Sequence, residues 1–272
     1  KEKPLIVHSH TPKAGIVSML AAFLARVPIR MHTVAGLPLM EAKGFKKRVL
    51  IFVEKLTYAT STNVYPNSFG LKDYIIKNKF CSESKVKVIG SGSSNGIDTD
   101  YFSVANMNSD FLGQIKESIG IEKDTFVFCF VGRIVRDKGI HELVSAFNRI
   151  EQKDFKSKLL LVGNYEEELD PIEVQILNKI KANKNIIEVG YQEDVRPYMG
   201  ISNALLLPSY REGFPNVVLQ AGAMNLPAIV SNINGCNEII THHENGLIVP
   251  VKEVTPLYES MILLMKNPSL CN

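Results

Sequence analysis

Two stretches of this sequence collect residue types that could bind and activate an anionic ligand. In Gly132-Arg133-Ile134-Val135-Arg136-Asp137-Lys138-Gly139, cations follow an apolar run and precede an amphipathic segment. Arg133 and Lys138 would stand at the carboxyl end of a strand, beside a helix N-terminus whose free N–H groups attract anions. That is the make-up of a phosphate site; a solvated turn is the other reading. In Ser209-Tyr210-Arg211-Glu212-Gly213-Phe214-Pro215-Asn216-Val217-Val218-Leu219-Gln220, the acid Glu212 lies in a loop ahead of Pro215, which suits a first helical position. The early amides of that helix, near residues 216–218, lack intrahelical partners. Asn216 and Gln220 are four apart and share a helix face. The stretch reads as a polar crevice or as a capped helix with a surface acid.

Other motifs are more ambiguous. His8 and His10 are two apart on an expected strand and would point to one face. A metal there needs a third ligand, with His32 the obvious candidate; a functional histidine at the strand end and a pair of core histidines are the alternatives. His242-His243-Glu244, before Asn245-Gly246, reads as a solvated loop. The run Gly90-Ser91-Gly92-Ser93-Ser94-Asn95-Gly96 imitates a dinucleotide fingerprint. Its third glycine comes one residue late and no helix start follows, so it reads as a crossing between domains. Segment 41–56 sets Lys43, Lys46, Lys47 and Arg48 beside Phe45, Leu50, Ile51 and Phe52. It is either a basic amphipathic helix at an anionic bilayer or a helix on its own sheet with a charged outer face.

Positioning these residues requires short apolar strands alternating with longer amphipathic helices. Strands are expected over 5–8, 29–33, 60–65, 86–89, 126–131, 158–162, 186–189, 204–207, 228–231 and 246–249. Helices are expected over 14–26, 41–59, 69–78, 140–152, 171–182, 195–199, 215–224, 237–241 and 255–265, with a further helix-like stretch over 111–119. The alternation implies an α/β fold with parallel sheets flanked by helices. Runs 125–131 and 159–162 are continuously apolar, as strands buried on both faces are. The rhythm pauses between 90 and 123, which places a boundary near Phe102 and predicts domains 1–102 and 103–272.

Composition bounds the rest. The 272 residues suffice for two domains, and 45% hydrophobic with 22% charged residues is the balance of a folded protein. A net charge of +3 argues against nucleic acid as partner. The longest apolar stretch, 16–25, is too short to span a bilayer. The four cysteines form no C-x-x-C, which predicts reduced thiols and a cytoplasmic setting.

Several motifs together resemble the retaining, nucleotide-sugar-dependent glycosyltransferases of the GT-B fold, family four, in the CapM-like branch that builds capsular and other surface polysaccharides. They are Ile6-Val7-His8-Ser9-His10-Thr11-Pro12-Lys13-Ala14-Gly15, Asn95-Gly96-Ile97-Asp98, Val131-Gly132-Arg133 with Lys138-Gly139, Pro208-Ser209-Tyr210-Arg211-Glu212-Gly213, and Asn245-Gly246-Leu247-Ile248-Val249-Pro250. The resemblance covers nearly the whole chain in order. It implies two Rossmann-like domains facing a cleft, the second holding a UDP-sugar donor. By the resemblance, Arg133 and Lys138 grip the donor diphosphate without a metal, and Glu212 bonds the donor sugar's hydroxyls. The same likeness has Gly213, Phe214, Pro215, Asn216 and Val217 hold sugar and phosphate through their backbone, and His10 touch the sugar near the reacting carbon.

The resemblance further implies transfer of a hexose or N-acetylhexosamine to a lipid-linked oligosaccharide, by a cytoplasmic protein on the inner membrane face. A non-catalytic sugar-nucleotide binder, a soluble-acceptor synthase and a UDP-sugar epimerase are the rival readings. Two departures stand out. Gln220 replaces the second Glu of the family's E-x7-E motif, at the position that binds the ribose diol; an amide can both accept and donate there. An early glycine-rich loop and a returning C-terminal helix are missing, so the first domain is expected to be incomplete and the natural protein longer.

Overall fold

The computed structural model describes residues 2–93, 95–151, 155–166, 168 and 170–267. The chain forms two compact units: Lys1–Gly96 with Arg211–Pro215, and Ile97–Tyr210 with Asn216–Asn272.

Unit 1 runs β1 (Ile6–Ser9), α1 (Pro12–Leu24), β2 (Ile29–Val34), α2 (Gly44–Thr60), β3 (Asn63–Pro66) and α3 (Phe69–Lys77). Its strands form a parallel sheet in the order β1-β2-β3. Thr11 and Ser68 cap α1 and α3 through side-chain oxygens that accept from Ala14 and Leu71 amides. The core gathers Leu39, Tyr58, Val64, Leu71 and Ile75.

Three expectations fail here. Residues 86–89 form no strand: Val86 makes one parallel bridge to Val64, with Lys87 N–H donating to Val64 O at 3.0 Å. The next rung of a parallel ladder would need an N–H at residue 66, which is Pro66. The expected strand start at residue 60 is taken by α2, whose last residue is Thr60. At its other end α2 begins at Gly44 rather than residue 41, because Pro38–Met40 forms a separate 3-10 turn.

Unit 2 runs α4 (Ser109–Ser118), β4 (Phe126–Val131), α5 (Ile140–Glu151), β5 (Ser157–Val162), α6 (Val174–Ala182), β6 (Ile186–Gly190), α7 (Arg196–Gly200), β7 (Ala204–Leu207), α8 (Asn216–Ala223), β8 (Ala228–Ser231), α9 (Cys236–Ile239), β9 (Gly246–Val249) and α10 (Val254–Lys266). The six strands are parallel, in the order β6-β5-β4-β7-β8-β9. The order reverses between β4 and β7, the topological switch point at which doubly wound sheets bind ligands. Helix α5 shows why the sequence folds this way. Its Ile140, Leu143, Val144, Phe147 and Ile150 recur at helical spacing and are all fully buried. Each such burial stabilises by about 1.5–3 kcal/mol. Cys129 lies fully buried in β4, and burial pushes its thiol pKa up to about 12.

The connection into unit 2 is held by Arg196. Its guanidinium lies 3.5 Å from the Tyr101 ring centroid, donates to Tyr101 O at 3.0 Å, and pairs with Asp194 at 2.6 Å. The hydrogen bond from Arg196 holds the Asp194 carboxyl below the usual carboxylate range.

Candidate active site

In unit 2 the chain leaves β4 through Gly132 and Arg133, turns through a 3-10 segment at Arg136–Lys138, and enters α5 after Gly139. Asp170 supports the turn: its carboxylate accepts from the Asp137 amide at 2.7 Å and lies 3.5 Å from Arg136. Gly139 has φ +71°, and a Cβ there would overlap Pro208 O at the end of β7. Only glycine allows this approach, which brings the loops after β4 and β7 together across the switch point. Two further bonds fasten them. The Tyr210 amide donates to Asp137 O at 2.8 Å, and the Tyr210 hydroxyl reaches both oxygens of the buried Glu142 at 2.9 and 2.8 Å. Arg133 and Lys138 thus stand where the strand-end argument expects them.

The Arg133 side chain is 54% exposed and forms an ion pair with Glu166, from the loop after β5. Pairs this exposed are worth about 0–1 kcal/mol, so a phosphate could displace the carboxylate at small cost. Lys138 is half-buried.

Beside Arg133 a cavity of about 540 Å³ opens at the carboxyl ends of β4, β5 and β6, lined by Gly132, Gly163, Asn164, Tyr165, Tyr191 and Gln192 among others. Its floor is bare backbone. A Cβ at Gly163 would overlap Gly132 O, the Gly132 amide donates to Val162 O at 2.9 Å, and the Gly163 amide donates to Gly190 O at 2.8 Å. The Tyr165 hydroxyl donates to Glu188; burial, then this carboxylate, push the phenol pKa up. This cavity escaped the sequence reading. Its signal was present: Val162-Gly163 and Val189-Gly190 repeat the strand-then-glycine ending of Val131-Gly132. Two other cavities, of about 310 and 630 Å³, lie at the amino ends of the same sheet, away from the switch point.

The second predicted stretch divides. Asn216, Val217 and Gln220 are half-buried on α8 and belong to unit 2. Glu212, Gly213, Phe214 and Pro215 group with unit 1. Pro215 directly precedes α8 instead of opening it, because the helix starts at Asn216. A one-residue difference of this kind is ordinary at helix ends.

His10 lies in unit 1, one residue past β1, and is exposed. Its ring still lies against His8, tilted by 40°, with centroids 4.1 Å apart. His8 Nε2 lies 2.8 Å from Thr33 Oγ1, and His32 Nδ1 lies 2.8 Å from Ser9 Oγ. His32 is buried, and burial, followed by the neighbouring His8 and His10, lowers its pKa to about 4. It is a core histidine tied to a hydroxyl. Among the described residues no three His, Cys, Asp or Glu side chains are grouped to hold a metal ion.

Comparison with known proteins agrees with this architecture. Residues 113–272 match the family model for glycosyl transferases group 1, and residues 1–92 match that for a glycosyl transferase 4-like domain. The chain is 37% identical to the capsular polysaccharide biosynthesis glycosyltransferase CapM of Staphylococcus aureus, over 99% of this chain and 70% of that protein. It is 29% identical to the UDP-Gal:alpha-D-GlcNAc-diphosphoundecaprenol alpha-1,3-galactosyltransferase of Escherichia coli, over 96% of this chain and 66% of that protein. The chain therefore spans about two thirds of the length of these relatives. Among solved structures, Anabaena HepE in complex with UDP-glucose superposes with a TM-score of 0.83, covering 98% of this chain and 70% of that one at 19% identity. Family match, near-complete alignment to CapM and a shared GT-B fold agree: this chain belongs to the group 1 glycosyltransferases, on the CapM-like branch.

Proposed function

We propose that this glycosyltransferase moves a hexose or N-acetylhexosamine from a UDP-sugar to a lipid-linked oligosaccharide in bacterial surface polysaccharide synthesis, with retention at the anomeric carbon. The observation that carries the reading is the switch-point arrangement: Arg133 lines a glycine-floored cavity large enough for a nucleoside, and Lys138 lies in the turn that follows β4. The names of the CapM and galactosyltransferase relatives support the pathway and the acceptor class.

In this reading the cavity takes the uridine, Arg133 and Lys138 take the diphosphate charge without help from a metal, and Gln220 bonds the ribose. Glu212 accepts from the sugar hydroxyls, while the backbone of Gly213, Phe214, Pro215, Asn216 and Val217 steadies sugar and phosphate. His10 bonds the sugar near its anomeric carbon. The acceptor oxygen attacks that carbon on the face the leaving group departs from. The bond from carbon to phosphate oxygen breaks, and the acceptor proton passes to the departing phosphate. Cations help most here because negative charge grows on the leaving diphosphate. The work is done at the cytoplasmic face of the inner membrane, where such an acceptor is built.

The test is a donor screen of the intact protein with UDP-sugars and undecaprenyl-diphosphate-linked saccharides in the presence of EDTA. It should give UDP release and an axial-type anomeric product by NMR when the donor is axial. Absence of UDP binding by calorimetry together with absence of turnover on every donor would reject the reading.

A further inference from the structure

His10 lies between two fixed points of the chain. Ser9 ends β1, and Thr11 caps α1, whose first turn is secured by Pro12 and by the Gly15 amide donating to Thr11 O at 2.6 Å. Consecutive strand residues point to opposite faces, so β1 is pinned to β2 on both. On one face Ser9 Oγ meets His32 Nδ1 at 2.8 Å, and both residues are buried. On the other, His8 Nε2 meets Thr33 Oγ1 at 2.8 Å, and Thr33 is buried too. The backbone of His10 is thereby held, and its side-chain rotamer is what is left to set. The His10 ring is exposed, with the His8 ring tilted against it by 40° and 4.1 Å away. Burial, then His10, lowers the His8 pKa, so at neutral pH the ring beside His10 carries no charge that would repel it. A hydroxyl can donate to Nε2 or accept from it, so the bond to Thr33 holds in either neutral tautomer of His8.

We infer that Thr33 and His8 are positioning residues for His10: the Thr33 hydroxyl fixes the His8 ring, and the His8 ring fixes the rotamer of His10. An exposed side chain otherwise exchanges rotamers within picoseconds to nanoseconds. An imidazole already held in one rotamer meets a ligand without that loss of freedom, and a group held in its reacting geometry acts on the rate. The inference deepens the reading in which His10 bonds the donor sugar, and it rests on that reading. Ser9 and His32 make a bond of the same kind on the opposite face, away from the His8–His10 contact, and so serve the fold instead.

The experiment is a double-mutant cycle on the intact protein, read by steady-state kinetics with the donor and acceptor found in the screen above, by UDP calorimetry and by thermal melts. Thr33→Val keeps the shape and removes the hydroxyl; it should lower kcat roughly two- to ten-fold, the worth of one neutral hydrogen bond. Thr33→Ser should restore it. His8→Ala loses the bond and the ring contact together and should lower kcat roughly five- to fifty-fold. UDP affinity should be unchanged in all three, because the nucleotide cavity is lined by unit 2. Added to His10→Ala, Thr33→Val should cost nothing further, since its effect travels through a ring that is no longer there. A readout free of turnover is the set of NMR couplings across the His10 χ1 bond, which should report one rotamer in the parent and averaging in Thr33→Val and His8→Ala. Additive losses in the cycle overturn the inference alone, as does a Thr33→Ser protein no better than Thr33→Val. An averaged His10 rotamer in the parent does the same. A fully active His10→Ala removes that residue from the reaction and takes this inference with it.

Discussion

The Tyr210 hydroxyl and the Glu142 carboxylate, 68 positions apart, close a bond at 2.9 and 2.8 Å that joins the loop after β7 to the first turn of α5. Glu142 is buried although it lies on the side of α5 opposite the apolar stripe, and His141 Nδ1 lies 3.8 Å from its carboxylate. The Lys252 ammonium sits 4.5 Å from the Tyr210 ring centroid. Burial, then Glu142, push the phenol pKa up, so the hydroxyl stays a donor across the working pH range.

Tyr210→Phe should therefore leave a buried carboxylate short of a donor and cost about 1–3 kcal/mol of stability. Because the bond also fixes the residue before Arg211 and Glu212, kcat should fall while the affinity for UDP alone changes little. Added to Tyr210→Phe, Glu142→Gln should recover part of the stability, because it removes the buried charge left without its donor. Thermal melts and steady-state kinetics check this; a Tyr210→Phe protein with native stability and turnover would remove the bond from any positioning role.

The Arg133–Glu166 pair gives a second prediction. Glu166→Gln frees the guanidinium from its carboxylate, so UDP affinity should rise by up to about five-fold, the worth of an exposed pair. Arg133→Ala should weaken it roughly ten- to hundred-fold, the worth of a charge-assisted bond. Calorimetry with UDP separates the two. Weaker binding in Glu166→Gln would mean that Glu166 itself holds the ligand.

What the sequence made legible was local. Runs 125–131 and 159–162 read as strands buried on both faces because they are continuously apolar, and the sheet order places β4 and β5 away from its edges. Arg133 and Lys138 could be placed because a strand end and a helix start bracket them. What stayed hidden depends on distant partners. Whether 86–89 pairs as a strand is decided by Pro66 on the neighbouring strand. Glu142 looks like a surface residue until Tyr210 is brought to it. Arg133 reads as an unpaired cation until the loop carrying Glu166 is folded beside it. Segment 41–56 leaves two readings open in the sequence, and only the fold shows that Phe45 and Phe52 are exposed.

His32 should make stability depend on pH. Its folded pKa of about 4 lies below the unfolded value of 6.5, so the folded protein binds fewer protons between the two. Stability from this group is fully present above pH 6.5 and is lost as pH falls toward 4, by up to about 3 kcal/mol. Denaturant titrations at several pH values should show a shallower acid loss in His32→Gln than in the parent. Parallel slopes would mean that the imidazole is already protonated in the fold. Gly15→Ala supplies a steric companion test: its new Cβ would lie 2.5 Å from His32 Cε1, at a cost of about 1–3 kcal/mol that a smaller residue at 32 should relieve.

Glu212 and Gln220 give the most discriminating test of the proposed reaction. The two are eight positions apart, one in the loop before α8 and the other on it, so a sugar and a ribose can be served separately. Glu212→Gln keeps shape but removes the charge of an acceptor facing sugar hydroxyls where the transition state forms. Its effect should appear in kcat as a loss of about 1.5–3 kcal/mol, roughly ten- to hundred-fold, with UDP binding nearly unchanged. Gln220→Glu should be tolerated, because a ribose diol can donate to either side chain; added negative charge near the diphosphate opposes any gain in affinity. Lys138→Ala provides the reference, since a cation on the leaving diphosphate should move both kcat and KM. Kinetics and UDP calorimetry on the three variants would sort the roles. Lost UDP binding in Glu212→Gln with normal turnover in Lys138→Ala would put the diphosphate at Glu212's end of the loop and overturn the assignment.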